Sequence, residues 1–145
     1  PFIPSPFIPY QLLVSSTVFC SSFIVLINMT FVEENSFDRR RKLSSKILAT
    51  YAGRIPLIVE PGSKHAPPIA KTKFLAPAEM TVGAFVQEVK KHMSSESAPT
   101  DAIFLFVGRD KIMPSSSAPL QQVYDRHADD DGFLYILYSG ESVFG

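Results

Sequence analysis

Cysteine is almost absent: Cys20 is the single one in 145 residues. That excludes an internal disulfide framework and a Cys-rich zinc site, and it agrees with a reducing compartment. Net charge is absent too, 14 Lys and Arg being balanced by 14 Asp and Glu. A neutral chain is not steered as a whole toward nucleic acid, so any basic patch is local and no nucleic-acid partner is expected. A catalytic constellation is also missing. Gly140-Glu-Ser142-Val-Phe144 lacks the second glycine of a nucleophile elbow, and no cysteine follows Cys20 to serve as a nucleophile. A calcium loop starting at His127 would need an acid there and Glu at its twelfth position, where Tyr138 stands. No enzyme activity, metal or cofactor is expected. No internal repeat is visible.

Charge is missing altogether from Pro1 to Val32 and begins at Glu33. This first stretch is punctuated by proline and then apolar from Leu12 to Ile27. A membrane-spanning helix needs about 20 mostly apolar residues, and this run is shorter and diluted by Ser15, Ser16, Thr17, Ser21 and Ser22. A secretory signal would start with a basic segment, which is lacking. The chain begins with Pro, and its first Met is Met29. The expectation is a non-native or disordered apolar extension over residues 1–28 and one domain over residues 29–145.

The charged part reads as alternating elements. Ser36 is a candidate N-cap with Asp38 in the first turn. Leu43, Ile47, Leu48 and Tyr51 recur at helical spacing, and Gly53 suits a C′ position, so a helix is expected over Phe37–Ala52. Its basic start, Arg39 to Lys42 with Lys46, reads as a solvated face that could also serve a partner such as tubulin. Ile55–Val59 predicts a strand in which Pro56, lacking an N–H, needs an unpaired ladder position. Lys73–Ala76 predicts a second strand, stopped by Pro77. Thr81 caps a helix whose apolar residues are Val82, Phe85, Val86, Val89 and Met93. Ala102–Val107 is apolar on both faces, as in a fully covered central strand. Residues 108–114 suggest a turn with a short strand, Pro119 opens a short helix, and 129–132 is a turn. Phe133–Tyr138 is the last strand, and a Ser139–Phe144 tail leads to Gly145. The order predicts an α+β domain, the ubiquitin-like β-grasp with an additional N-terminal helix.

Specific blocks point further: Arg54-Ile-Pro-Leu-Ile58, Lys73-Phe-Leu-Ala-Pro77, Met80-Thr-Val-Gly-Ala-Phe85, Ile103-Phe-Leu-Phe-Val107, Asp131-Gly-Phe-Leu-Tyr135 and Tyr138-Ser-Gly-Glu-Ser-Val-Phe-Gly145. Taken in order, they resemble the autophagy-related protein 8 family, ubiquitin-like modifiers that include GABA-receptor-associated protein and microtubule-associated light chain 3. The resemblance implies that a cysteine protease trims the chain after Gly145. An E1-like and an E2-like enzyme then pass the Gly145 carboxyl to phosphatidylethanolamine, moving a cytoplasmic protein onto the autophagosomal membrane. Glycine suits such a channel because it has no Cβ and an unrestricted φ. Phe104 and Phe106 would form the face read by the processing enzyme.

The resemblance also implies docking of cargo receptors through aromatic-x-x-aliphatic motifs beside the second strand. Lysines and flanking prolines mark that segment as an edge, and an edge can accept an extended peptide. The aromatic pocket would comprise Ile47, Pro56, Lys73, Leu75 and Phe133. The aliphatic pocket would comprise Arg54, Phe74, Ala76, Pro77, Met80 and Phe85. Lys71, with Lys73, would meet acidic residues flanking the motif. Glu88 stands where the family usually has an aliphatic residue, and Leu43 where many members have an acid, which implies a peptide preference of its own. The alternative is an unconjugated ubiquitin-like interaction module, an adaptor in trafficking or on the cytoskeleton.

Overall fold

A computed structural model describes residues 30–63, 66–93 and 102–140. The extension expected over residues 1–28, the polar loop at 94–100, and Gly145 with most of its tail lie outside the described residues. Among the described residues four helices and four strands follow in the order α1 (Phe31–Glu34), α2 (Phe37–Thr50), β1 (Arg54–Pro61), β2 (Lys73–Pro77), α3 (Val82–Lys91), β3 (Phe104–Val107), α4 (Leu120–His127) and β4 (Leu134–Ser139). The strands form one mixed sheet in the order β2-β1-β4-β3. β1 and β4 are parallel at its centre, and β2 and β3 are antiparallel at its two edges. This is the β-grasp plan with helical additions before β1.

Strand alternation divides the apolar residues between two faces. Ile55, Leu57, Val59, Phe74, Ala76, Leu105, Val107, Leu134, Ile136 and Tyr138 meet Val82, Phe85 and Val89 of α3 and Leu120 and Val123 of α4 in the main core. On the opposite face Ile58, Leu75 and Phe133 gather with Ile47 of α2 and Phe31 of α1.

The helix starts follow local chemistry. Ser36 Oγ accepts from Arg39 N at 3.3 Å and Thr81 Oγ1 from Ala84 N at 3.2 Å, which satisfies N–H groups that a first turn leaves unpaired. Thr30 and Glu33 form a reciprocal capping box at the start of α1. The Thr-x-x-Glu spacing was its signal in the sequence, although periodicity alone leads to α2 as the first helix. After α2 the chain reverses through Gly53, whose φ of +77° favours glycine.

Four expectations need correction. Leu48 is 39% exposed; the inward stripe of α2 is Arg40, Ser44 and Ile47, with Leu43 and Tyr51 packed against the smaller cluster. Arg40 therefore does not belong to a solvated basic face: it is buried and bonds to Asp131 at 2.6 Å. β3 is an edge strand rather than a central one. It reads as apolar on both faces because Leu105 and Val107 enter the main core while Phe106, on the other face, is also buried. The short strand expected at 108–114 is a single bridge from Val107 to Ile112. Pro56 is buried within β1, one residue before pairing with β4 begins at Leu57, so its missing N–H costs no bond to β4.

Candidate functional site

β2 ends the sheet, and its residues alternate between the two sets that the resemblance implies for a groove. Leu75 lies on the α2 face with Ile47 and Phe133; Phe74 and Ala76 lie on the α3 face with Phe85, and Met80 packs against that cluster. Pro56 is opposite Leu75 in the register, and Arg54 is opposite Pro77. Ile47, Leu75, Phe133, Phe74, Ala76 and Phe85 are all fully buried, whereas Arg54, Lys73, Pro77 and Met80 are half-buried. The structure thus gathers the expected aromatic set on one face of the edge strand and the aliphatic set on the other face and end.

The cations of this edge lie over rings. The Lys71 ammonium is 5.1 Å from the Phe74 ring centroid and that of Lys73 is 5.6 Å from the Phe31 ring, distances at which a cation is attracted to an aromatic face. Burial holds Lys71 below the ordinary lysine range, and the nearby Glu88 carboxylate partly restores it. His92 stacks edge-on against Phe74 at 5.4 Å. Its proton affinity is lowered by burial first and next by Lys71, with Glu88 opposing and Lys91 reinforcing the shift. Glu88 is bonded to Lys91 at 2.7 Å.

The α2 face is tied down by one buried carboxylate. Asp131 is fully buried; its Oδ2 accepts from Arg40 at 2.6 Å and from the Tyr135 hydroxyl, and its Oδ1 accepts from Phe133 N at 2.9 Å. Ser44 Oγ donates to the Asp131 carbonyl, and Arg40 Nε donates to Asn35 O at 3.1 Å. A buried ion needs such full satisfaction. The turn that the sequence marks by its Asp-Asp-Asp-Gly run is therefore an anchor for α2. Its half-buried member Asp129 takes the exposed Arg109 guanidinium at 2.7 Å.

Sequence reasoning missed two contributors, Ile58 and Phe31. Phe31 is 5% exposed, its ring meets Phe133 edge-on at 5.1 Å, and its N–H donates to Glu60 Oε2 at 3.0 Å. Burial raises the Glu60 carboxyl above the ordinary carboxylate range; the Phe31 hydrogen bond opposes this, and Glu33 and Glu34 add to it.

Phe104 and Phe106 fall on one face of β3, with Phe106 buried opposite Leu137. At the exit of β4, the Tyr138 hydroxyl donates to Pro67 O and burial pushes its pKa up to about 12. Gly145 comes after the described residues. Among the described residues no helix is long and apolar enough to cross a membrane, and no His, Cys, Asp and Glu cluster could hold a metal ion.

A mixed sheet with parallel central strands, the helix α3 across its main-core face and a short helix before the last strand defines a ubiquitin-like protein. The chain matches the family described as "Autophagy protein Atg8 ubiquitin like" over residues 39–145, and it belongs to that family. It is 46% identical over 117 residues to Autophagy-related protein 8 of Dictyostelium discoideum, covering 80% of this chain and 93% of that protein. An autophagy-related protein 8-like protein of the same organism is 44% identical over 124 residues, covering 84% and 98%. Autophagy-related protein 8 of Mycosarcoma maydis is 41% identical over 116 residues, covering 79% and 95%. The chain is thus an autophagy-related, ubiquitin-like protein.

Proposed function

We propose that this chain is a modifier whose Gly145 carboxyl is conjugated to phosphatidylethanolamine, and that it docks cargo receptors at β2. The observation that carries the reading is the family match, which extends through Gly145 itself. Gly145 follows the last residue of β4, Ser139, by a short Gly-Glu-Ser-Val-Phe tail. An E1-like and an E2-like enzyme, after a processing cysteine protease, would thread that tail to reach the carboxyl. Two acyl chains then give firm anchoring, because each buried CH₂ contributes about 0.8 kcal/mol. The protein would move from the cytoplasm to the autophagosomal membrane.

Docking is supported by the edge position of β2, which suits strand addition, and by apolar residues gathered on both its faces. An acidic aromatic-x-x-aliphatic peptide would place its aromatic group toward Ile47, Pro56, Lys73, Leu75 and Phe133. Its aliphatic group would go toward Arg54, Phe74, Ala76, Pro77, Met80 and Phe85. Lys71 and Lys73 would face its acidic flank. Truncating such an anchor costs about 1–3 kcal/mol, so Leu75→Ala is expected to weaken peptide binding.

The decisive experiment is reconstitution with the two conjugation enzymes, ATP and liposomes containing phosphatidylethanolamine. Wild type is expected to float with the liposomes and gain the mass of the lipid, while Gly145→Ala stays soluble. Equal lipidation of both, or of neither, refutes the modifier reading and leaves an unconjugated interaction module.

A further inference from the structure

The aromatic side of the proposed groove already holds an aromatic residue. Ile47, Leu75 and Phe133, which a guest ring would have to touch, are each 0% exposed. Phe31 is clustered with all three and with Ile58, and it lies edge-on to Phe133 and beneath the Lys73 ammonium. A peptide aromatic seated in this pocket would seek those same surfaces and that same cation.

The segment bearing Phe31 is lightly held. α1 has four residues, of which Val32, Glu33 and Glu34 are exposed, and a helix this short has little stability of its own. Its capping box is internal to the segment. Among the described residues it is tied to the domain by the Phe31 ring, by the Phe31 N–H bond to Glu60, 29 residues away in sequence, and at its C-cap by the Arg40 bond to Asn35.

We infer that Phe31 is a resident plug of the aromatic pocket, latched through Glu60, and that α1 must undock before a peptide aromatic can enter. This rests on the docking reading above and adds its regulation. Observed affinity is then the intrinsic affinity multiplied by the open fraction. A minor state of this kind is populated to at most about 10%, so removing the plug tightens binding by about tenfold or more.

The probe is a synthetic peptide with two acidic residues, then phenylalanine and, three positions on, leucine. Its dissociation constant is measured for wild type, Leu75→Ala, Phe31→Ala, Glu60→Ala and the Phe31→Ala/Glu60→Ala pair, each first shown to unfold cooperatively. Phe31→Ala and Glu60→Ala are each expected to bind more tightly than wild type, and the pair no more tightly than Phe31→Ala, because both changes open one latch. Because the chain contains no tryptophan, Phe31→Trp supplies a single emitter, whose fluorescence should shift to the red as peptide saturates the site. Weaker or unchanged binding by Phe31→Ala, with Leu75→Ala still impaired, overturns the plug and keeps the groove: Phe31 is then a wall on which the guest packs. Absence of binding in wild type and Phe31→Ala alike overturns both.

Discussion

The two faces of the sheet are held together by different physics. On the α3 and α4 side the contacts are mainly apolar, from Ile55 and Phe74 to Phe85 and Tyr138. On the α1 and α2 side a smaller apolar cluster sits beside a buried ionic network centred on Asp131. The first arrangement makes a cohesive core whose loss is global. The second joins α2 to one turn by directional bonds and, among the described residues, holds α1 through the Phe31 ring, the Phe31–Glu60 hydrogen bond and the Arg40 bond to Asn35, so it can open in parts. Local opening of weakly held segments below the global unfolding free energy is a general property of native proteins.

The contrast is broken most strongly by truncating one phenylalanine on each face. Phe85→Ala is expected to cost about 3–5 kcal/mol, the range for a large ring removed from a packed core. Phe31→Ala is expected to cost at least about 1.4 kcal/mol, the free energy equivalent of a tenfold closed-to-open ratio, but less than Phe85→Ala, because α1 undocks and leaves no cavity. Urea unfolding at neutral pH measures both; equal losses would show that the two faces form one cooperative unit.

A smaller effect is expected at the junction of α2 with the Asp131 turn. Gly132 has φ +89°, and a Cβ there would collide with Ser44 Oγ and come within 2.9 Å of Ser44 Cβ. Gly132→Ala is expected to cost about 1–3 kcal/mol, as for a residue held in a sparsely populated backbone region. Ser44→Gly alone removes the hydrogen bond to the Asp131 carbonyl and carries its own cost, so the clash is read as the coupling in a double-mutant cycle with Gly132→Ala. Additive costs of the two single variants would place the whole Gly132→Ala effect in the backbone.

The smallest effect is pH dependence on the β2 side. His92 faces Lys71, Glu88, Lys91 and the Phe74 ring, and its pKa is lowered. The unfolded chain therefore binds a proton near the ordinary value of about 6.5 before the folded one does. Stability from this group is present above that value and lost as pH falls below it. Glu60, whose pKa is raised above 4.5, acts in the opposite sense: stability rises as pH falls through its folded pKa. Unfolding midpoints compared between pH 7.5 and the acid range should fall more for wild type than for His92→Gln. An identical pH profile would remove His92 from the account.

Much of the scaffold was legible because its signals are local. Thr81 and Ser36 cap where short polar side chains ahead of periodic apolar runs should, and the alternation of Phe74 and Leu75 follows from strand geometry alone. What was not legible depended on distant partners. Arg40 looked like one of several solvent-facing cations because the carboxylate it serves lies 91 residues away. Leu48 fitted the helical period, yet Arg40 and Ser44 share the inward stripe with Ile47 because the facing turn is itself polar. β3 looked central because hydrophobicity reports burial of faces and says nothing about which edge is paired. Within the candidate site, the β2 residues followed from edge signals, whereas Phe31 followed from neither periodicity nor resemblance, since only the three-dimensional path of the segment before α2 brings it onto Phe133.

The parallel pairing of β1 with β4 has a mechanical consequence. A pull on the residues after Ser139 enters the domain at the C-terminal end of β4, whose register with β1 runs from Leu57–Leu134 to Pro61–Tyr138. If the opposing force is applied at β2, it reaches β1 through the antiparallel ladder from Arg54–Pro77 to Ile58–Lys73. Tension along β4 then slides it lengthwise against β1, and the rungs share the force instead of opening one after another. A domain strung between an anchored tail and a cargo on its edge strand would thus be loaded in shear, the direction in which a hydrogen-bonded ladder resists longest.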